Sequence, residues 1–304
     1  MKVLVTGASG FVGKSVVKEL LSNGHEVAVL TRSVAKAAVQ LGSKCKYFTW
    51  SDTTVKPPVE AFEGVNAVIN LMGEGIAEKR WDEAQKKKIY DSRIIGTRML
   101  IDLMKELPKK PSVFVSASAV GIYGDRGPEE LTEESSLATD FLATVCKDWE
   151  AEANKAKELG IRVAIVRTGV VLGKNGGALK KMLPIFKLGA GGPVGSGKQY
   201  MSWIHVEDLA RMYVEAVTNT SISGILNGTA PNPVTSKEFA KTLGKELGRP
   251  AFAPAPAFAL KMVFGEMSQV LLDGQKVLPT KFKGMKFRYF YPTLEMALRD
   301  STQK

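Results

Sequence analysis

The sequence is poor in the residues that build disulfide frameworks and metal centres. Its 304 residues include two cysteines, Cys45 and Cys146, and two histidines, His25 and His205. Because the cysteines stand far apart in different contexts, we expect neither a disulfide framework nor a cysteine metal site. Two histidines also make a histidine-based metal centre improbable. We therefore predict a protein that binds no metal and works in a reducing cytoplasm.

The sequence also lacks a hydrophobic run long enough to cross a membrane. The best candidate, residues 251–264, is interrupted by Pro254, Pro256 and Lys261, whereas a spanning helix needs about 20 apolar residues. The first predicted strand begins at once, which leaves no room for a signal peptide. We therefore predict no membrane association.

Tight basic clusters are scarce, although the chain carries a net charge of +11. A basic chain invites a nucleic-acid interpretation. Residues 86–88 form the longest basic run, and neither this run nor the pair 109–110 is interleaved with aromatic residues. We therefore expect a solvated basic surface that attracts anionic cofactors, and we consider nucleic-acid binding unlikely.

The first thirteen residues contain the clearest motif of the chain. A short apolar strand runs into a turn with the spacing Gly7-x-x-Gly10-x-x-Gly13, and an amphipathic helix follows. Such a turn exposes backbone N–H groups at a helix N-terminus and lets phosphates approach closely. The context favours a dinucleotide site over a plain glycine-rich turn. The predicted cofactor contacts here are Thr6, Gly7, Ser9, Gly10, Phe11, Val12 and Gly13.

The end of the second predicted strand, residues 27–30, bears on the choice of cofactor. Sites that prefer NAD place a carboxylate here for the adenosine ribose. This chain instead has Thr31, Arg32 and Ser33, and an arginine between two hydroxyls suits a 2′-phosphate. We therefore predict NADP rather than NAD, although Arg32 could be an ordinary surface arginine.

Further apolar strands alternate with helices of ten or more residues. Strands are predicted at residues 46–50, 65–73, 113–118, 162–171 and 224–227, which indicates a Rossmann-like, doubly wound parallel sheet. Because ligands collect at the carboxyl ends of such strands, Leu71, Gly73 and Ser116 are predicted to contact the cofactor. Asp52 is predicted to meet the adenine, although it could equally form a turn.

The rhythm of the sequence changes after Gly173. We predict a Rossmann domain of residues 1–173 plus about 203–230. A smaller, mainly helical C-terminal substrate domain would comprise about 174–202 and 231–304.

The motifs resemble the extended short-chain dehydrogenase/reductases, the sugar-nucleotide epimerase-like group. The resemblance covers nearly the whole chain and rests on residues 6–13, 116–118, 123–124 and 204–208. More narrowly, residues 79–81, 91–93, 148–150, 167–173, 201–205, 227–234 and 292–294 resemble an uncharacterised epimerase-like family with a distinctive C-terminal domain, sometimes described as cell-division-inhibitor-like. The resemblance implies the fold and the cofactor, and it leaves the reaction open.

Three positions depart from the pattern of the superfamily. Its Tyr-x-x-x-Lys pair, which exchanges a proton during hydride transfer, falls on Leu142 and Cys146. An asparagine common on the preceding helix appears as Arg93. Ser118 occupies the position of the catalytic hydroxyl and could polarise a carbonyl. Tyr123 could donate a proton, although the corresponding loop tyrosine is usually structural.

Several residues are predicted to contact the substrate. Two arginines beside an aromatic ring suit an anionic or phosphorylated molecule. The alternative for these residues is helix-face salt bridges and core packing, and His205 could simply pack under the second domain. The candidates are Glu74, Arg80, Trp81, Arg93 and His205.

These observations predict an NADP-binding oxidoreductase or epimerase-like enzyme with an altered active site. Its partner would be a small-molecule substrate, anionic or like a sugar nucleotide, and the protein would be a monomer or a homodimer. The alternative is a non-catalytic NADP-sensing or scaffold protein, for example in cell division, because the proton-transferring pair is missing.

Overall fold

The computed structural model describes residues 1–174 and 176–303. Its strands are β1 (Lys2–Thr6), β2 (Glu26–Thr31), β3 (Cys45–Thr49), β4 (Ala67–Asn70), β5 (Val113–Ala119), β6 (Glu130–Leu131), β7 (Arg162–Thr168), β8 (Val170–Leu172), β9 (Tyr200–Met201), β10 (Trp203–His205), β11 (Gly224–Gly228), β12 (Val234–Thr235) and β13 (Lys276–Val277). Its α-helices are α1 (Phe11–Ser22), α2 (Val34–Leu41), α3 (Glu83–Glu106), α4 (Phe141–Asn154), α5 (Gly177–Lys187), α6 (Val206–Thr218), α7 (Ser236–Leu247), α8 (Ala257–Phe264), α9 (Gln269–Leu272), α10 (Thr280–Gly284) and α11 (Leu294–Thr302).

A seven-stranded parallel sheet forms the main layer of the fold. Its order is β11-β7-β5-β4-β1-β2-β3, and every neighbouring pair is parallel. The chain moves outward in opposite directions from β1, so the order reverses between β1 and β4. Ligands of open α/β sheets bind at this kind of switch point. The predicted doubly wound fold is therefore confirmed.

Alternate residues of the strands supply two separate cores, one on each face of the sheet. Val3 and Val5 of β1 pack with residues of α1 and α6. Leu4, which lies between them, packs on the opposite face with residues of α3 such as Leu100. Burial on both faces explains why the strands read as continuous apolar runs rather than as alternating patterns.

The C-terminal part forms a third core beside the sheet. Residues of α5, α7 and α11 pack around Trp203, which is fully buried. The short strand pairs β10-β8 and β12-β9 lie beside these helices, and β13-β6 forms a further small sheet. The proposed domain boundaries remain a prediction. None of the helices within residues 1–174 and 176–303 is long and apolar enough to span a membrane.

Two elements differ from the sequence-based expectation. The predicted strand 162–171 divides at Gly169, where a methyl group would lie 2.5 Å from the carbonyl oxygen of Ser202. The chain leaves the main sheet at this close approach, and β8 pairs with β10 instead. The predicted strand 65–73 shortens to β4, because Leu71 and Gly73 turn into the wall of a cavity.

Candidate functional site

The glycine turn between β1 and α1 brings the backbone close to its neighbours. Gly7 adopts a φ of 65°, and a methyl group there would lie 2.6 Å from the carbonyl oxygen of Leu71. A methyl group at Gly13 would lie 2.2 Å from the carbonyl oxygen of Gly7. Helix α1 therefore begins directly against the turn, and its N-terminus has no side-chain cap. Such an uncapped N-terminus offers free N–H groups to a phosphate.

A cavity of about 500 Å³ lies at the carboxyl ends of the central strands. It brings together most of the expected cofactor residues: Thr6, Gly7, Ser9, Gly10, Thr31, Arg32, Leu71 and Gly73. Glu74, which was predicted to contact the substrate, lines this cavity as well. Leu30, Trp50, Ser51, Thr53, Met72 and Ser92 also line it and were not predicted. Trp50 follows β3, so the rule that ligands collect at strand ends could have found it. We call this space the nucleotide cavity.

Arg32 lies on the wall of the nucleotide cavity with an exposed side chain. In the described part of the chain, no carboxylate lies within ion-pair distance of its guanidinium. Thr31 Oγ1 accepts a hydrogen bond from the Ser33 backbone N–H at 3.3 Å, and the Ser33 side chain caps α2. The Arg32 guanidinium is therefore available to an anion.

Other predicted cofactor residues lie around the cavity rather than in its wall. The Asp52 carboxylate accepts hydrogen bonds from the backbone N–H and the hydroxyl of Thr54, at 2.9 and 2.6 Å. These bonds favour the alternative that Asp52 forms a turn. Ser116 is buried, and its hydroxyl donates to the carbonyl of Ala117 at 3.2 Å. The Phe11 ring lies against Gly176, where an added methyl group would collide with it.

A buried hydrogen-bond network fixes the sheet beneath the turn. The Thr6 hydroxyl donates to Asn70 Oδ1 at 2.7 Å, and Asn70 Nδ2 donates to the Thr97 hydroxyl at 2.9 Å. The Trp149 indole N–H donates to the same hydroxyl at 3.0 Å. The network joins β1, β4, α3 and α4, so it holds the carboxyl ends of the two central strands in register with both helices.

A second cavity, which we call the cleft, adjoins the nucleotide cavity at Leu71 and has a volume of about 370 Å³. Its walls are mostly apolar and come from β5, α3, α4, β8 and the segment before β13. Val12 also lies in this wall. An apolar cavity with a few polar groups beside a nucleotide cavity is typical of a substrate site.

Arg93 supplies the cationic group of the cleft. Its guanidinium lies 5.3 Å from the centre of the Trp149 ring and donates to the carbonyl of Ile89 at 3.0 Å. Within residues 1–174 and 176–303, no carboxylate lies within ion-pair distance of it. Burial lowers the pKa of Arg93 from its ordinary value, because a charge in an apolar wall is poorly solvated. An anionic group in the cleft would compensate this charge.

Ser118 also lines the cleft, but its hydroxyl points toward a buried ion pair. The hydroxyl donates to Glu150 Oε1 at 2.6 Å. The guanidinium of Arg167 holds both carboxylate oxygens of Glu150 at 2.9 Å. Burial alone would lower the pKa of Arg167, and the paired Glu150 carboxylate instead raises it.

Two predicted residues lie away from the cleft. Tyr123 is fully buried, its hydroxyl donates to Asn227 Oδ1 at 2.8 Å, and it accepts from Arg167 at 2.9 Å. His205 is 1 % exposed, and its ring lies 3.7 Å from that of Tyr291. These placements argue against a proton-donor role for Tyr123 and a substrate role for His205, and they favour the structural alternatives for both.

Neither Arg80 nor Trp81 is among the described residues that line the cleft. The indole N–H of Trp81 donates to the carbonyl of Ile76 at 2.7 Å, and its ring meets the edge of Phe141 at 5.2 Å. Arg80 is exposed and packs against the backbone of Gly265. Trp81 therefore packs in the core, which was the alternative interpretation for these residues.

The α4 side of the cleft is apolar at the two positions where we expect the tyrosine and the lysine of the superfamily pattern. Leu142 and Cys146 both line the cavity. Burial, and then the neighbouring Glu150, raise the pKa of the Cys146 thiol to about 11. The thiol therefore stays protonated near neutral pH.

The C-terminal part contributes residues that the sequence did not reveal. Gln269, Val270, Asp273 and Gln275 line the cleft. They lie around a four-residue helix and a two-residue strand, which leave no periodic pattern in the sequence. Nothing local indicates that this segment reaches the carboxyl end of the sheet.

The switch-point cavity, the glycine turn and the adjoining cleft define a nucleotide-binding Rossmann protein. Residues 3–227 match the NAD dependent epimerase/dehydratase family, and residues 255–301 match the domain of unknown function DUF1731. The chain therefore belongs to the NAD dependent epimerase/dehydratase family, as an atypical extended short-chain dehydrogenase/reductase with this C-terminal domain.

Similar proteins cover almost the whole chain. The chloroplastic SDR39U1 homolog of Arabidopsis thaliana, an epimerase family protein, is 44% identical over 98% of this chain and 86% of that protein. The crystal structure of human epimerase family protein SDR39U1 with NADPH is 35% identical, with a TM-score of 0.87 over 99% of this chain and 98% of that chain. A nucleoside-diphosphate sugar epimerase from Corynebacterium glutamicum is 32% identical, with a TM-score of 0.78 over 99% of this chain and 58% of that chain.

Proposed function

We propose that the protein is an NADPH-dependent oxidoreductase, or an epimerase-like enzyme, that acts on a small anionic carbonyl compound or alcohol. The cofactor part rests on the nucleotide cavity and on Arg32, whose guanidinium suits the 2′-phosphate. The NADPH in the human relative's structure supports this choice. When bound, the cofactor would supply or accept the hydride, and the chain would position both reactants.

The observation that carries the substrate class is Arg93 in the cleft, which has no carboxylate partner among residues 1–174 and 176–303. A half-buried guanidinium in an apolar wall is poorly solvated, so a ligand that supplies a negative charge would stabilise it. Arg93 stands in a wall that is otherwise largely apolar, and its planar donor group matches a carboxylate or a phosphate. The match to a nucleoside-diphosphate sugar epimerase adds phosphorylated sugars to the candidates.

Hydride transfer from labelled NADPH would test this function. The panel pairs each anionic carbonyl with its neutral ester or amide, and it includes sugar nucleotides. We expect the label in the anionic member of a pair and loss of that preference in Arg93→Leu. The matched control is Lys105→Leu, which removes an exposed positive charge from the same helix and should leave the preference unchanged.

The rival function is a non-catalytic NADP-dependent sensor or scaffold, which the apolar Leu142 and Cys146 favour. Tight NADPH binding without label transfer to any member of the panel would support the rival and contradict the enzyme hypothesis. A cytoplasmic location also stays a prediction, and the Arabidopsis relative is described as chloroplastic.

A further inference from the structure

The cleft must provide a proton if a carbonyl is reduced there, and α4 does not provide it. This inference rests on the proposed function. We propose that Asp273, which comes from the C-terminal segment, is the catalytic residue that donates a proton to the carbonyl oxygen of the substrate.

Other polar groups of the cleft either form hydrogen bonds within the protein or hold their protons too tightly to give them up. The Asp140 carboxylate accepts from the backbone N–H of Ala143 at 3.0 Å and caps α4. The Ser118 hydroxyl donates its hydrogen bond to Glu150, so it can accept a hydrogen bond from a ligand but has no second one to donate. Burial raises the pKa of Tyr213 and that of Cys146, so both keep their protons near neutral pH.

Asp273 differs from these groups in its contacts. In the described part of the chain, its carboxylate neither accepts a hydrogen bond nor forms an ion pair. It lies where the cleft meets an outer cavity of about 630 Å³, and it lines both. Gln269 and Gln275, on either side of it in the sequence, line the same cleft. The carboxyl group is therefore open to a ligand whose polar groups the two amides could hold.

The backbone holds Asp273 in this position. Its N–H donates to the carbonyl of Gln269 at 2.9 Å. The next residue, Gly274, donates its N–H to Asp125 Oδ1 at 3.1 Å. The Ser202 hydroxyl donates to the carbonyl of Gln275 at 2.7 Å. A proton donor has to be positioned within hydrogen-bond reach of the reacting oxygen, and these bonds restrict its movement.

Burial and the surrounding negative charges keep Asp273 protonated at higher pH than an ordinary aspartate. Burial, followed by the carboxylates of Asp125 and Asp140, raises its pKa to about 6, and Lys261 opposes this change. Glu266, which faces the outer cavity, is paired with Lys86. A carboxyl group with this pKa can both lose a proton to a substrate and regain it from water near neutral pH.

The proposed step balances in atoms and electrons. NADPH supplies the hydride, with its electron pair, to the carbonyl carbon, and the C=O π pair moves to oxygen. The protonated carboxyl of Asp273 gives its proton to that oxygen, so the products are an alcohol, NADP⁺ and the Asp273 carboxylate. The carboxylate then takes up a proton from solution, so the overall reduction consumes one proton. In the oxidative direction, the carboxylate accepts the proton of the alcohol.

The test compares Asp273→Asn with the wild type on a carbonyl that accepts label from NADPH. We expect kcat to fall about 10²- to 10⁴-fold, the usual range for loss of a general acid, while the dissociation constant for NADPH stays unchanged. The wild-type kcat should decline above about pH 6, because the donor loses its proton, and the variant should lack this decline. Glu295→Gln is the control, since it removes an exposed carboxylate of α11.

A measurement that does not depend on turnover completes the test. Carbon-13 NMR of labelled aspartate carboxyls should show one group that titrates near pH 6 in the wild type and is missing in Asp273→Asn. Asp125→Asn should lower that pKa. Equal kcat and equal pH profiles in Asp273→Asn and the wild type would overturn the role of Asp273 alone, as would its titration near pH 4. A wild type that binds NADPH but reduces no carbonyl would overturn the proposed function together with this role.

Discussion

Replacing Arg32 with alanine should weaken the binding of NADPH far more than that of NADH. The side chain is exposed on the wall of the nucleotide cavity. No carboxylate in residues 1–174 and 176–303 is within ion-pair distance of it, so the substitution leaves no partner unpaired within the protein. The lost interaction is therefore the one with the cofactor.

The size of the effect follows from the kind of contact. A hydrogen bond to a charged group contributes about 1.5–3 kcal/mol, which corresponds to a roughly 10- to 150-fold change in the dissociation constant for NADPH. NADH has no 2′-phosphate, and a surface substitution away from a contact usually changes free energies by less than about 0.5 kcal/mol. We therefore expect at most an approximately twofold change for NADH.

Fluorescence titration of both cofactors against the wild type and Arg32→Ala measures this difference. Repeating the titration at high salt should shrink it, because an exposed ion pair is screened. Arg249→Ala is the matched control: Arg249 is also exposed and lies outside the residues that line the nucleotide cavity.

Equal losses for NADPH and NADH would refute the assignment of Arg32 to the 2′-phosphate. Such a result would mean that the side chain supports the adenosine pocket in general, or that α2 has shifted. The same loss in Arg249→Ala would show instead that net charge, rather than a contact, attracts the cofactor.

Two substitutions test the packing that holds the site. Gly13→Ala should lower the free energy of unfolding by about 1–3 kcal/mol and weaken NADPH binding, since the added methyl group would lie 2.2 Å from the Gly7 carbonyl oxygen. The control is Gly284→Ala, whose methyl group meets no atom within 4 Å. Urea unfolding measures both stabilities, and equal values would contradict the close approach at Gly13. Arg167→Met should lower the free energy of unfolding by about 3–5 kcal/mol, because it leaves the Glu150 carboxylate buried without its partner. Adding Glu150→Gln should recover part of this loss of stability. An undiminished loss in the double variant would indicate that lost packing, rather than the unpaired charge, is responsible.

The first βα unit could be predicted because its information is local. Gly7, Gly10 and Gly13 lie within one stretch of seven residues, and their spacing is directly related to the turn that they form. The strands were visible for a similar reason, since both of their faces are buried and they read as unbroken apolar runs. Arg32 follows directly from the end of β2 and needed no knowledge of the tertiary structure.

The cleft could be predicted only in part, because distant segments build it. The backbone N–H of Gly274 meets the side chain of Asp125 across 149 positions of the sequence, and no periodic pattern records such a contact. The direction of the Ser118 hydroxyl was equally hidden, since it depends on Glu150 and on the ion pair behind it. Residue types identified Ser118 and Arg93 as candidates, whereas their chemical roles depend on partners that only the fold supplies.

Arg93 and Cys146 are best understood together, because both line the cleft and each affects the pKa of the other. Our sequence interpretation places Cys146 at the position of a lysine in the superfamily pattern, and Arg93 at that of an asparagine. A lysine at position 146 would place a second positive charge beside the Arg93 guanidinium, in a wall that already solvates one charge poorly. The two departures are thus mutually consistent, since the cleft has one cationic side chain in either case, on α4 in the superfamily pattern and on α3 here.

A cation on α3 can hold an anionic substrate, but it does not lie one helical turn from a tyrosine whose pKa it could lower. If carbonyl reduction occurs in this cleft, the proton must therefore come from another wall, and the C-terminal segment that carries Asp273 forms that wall.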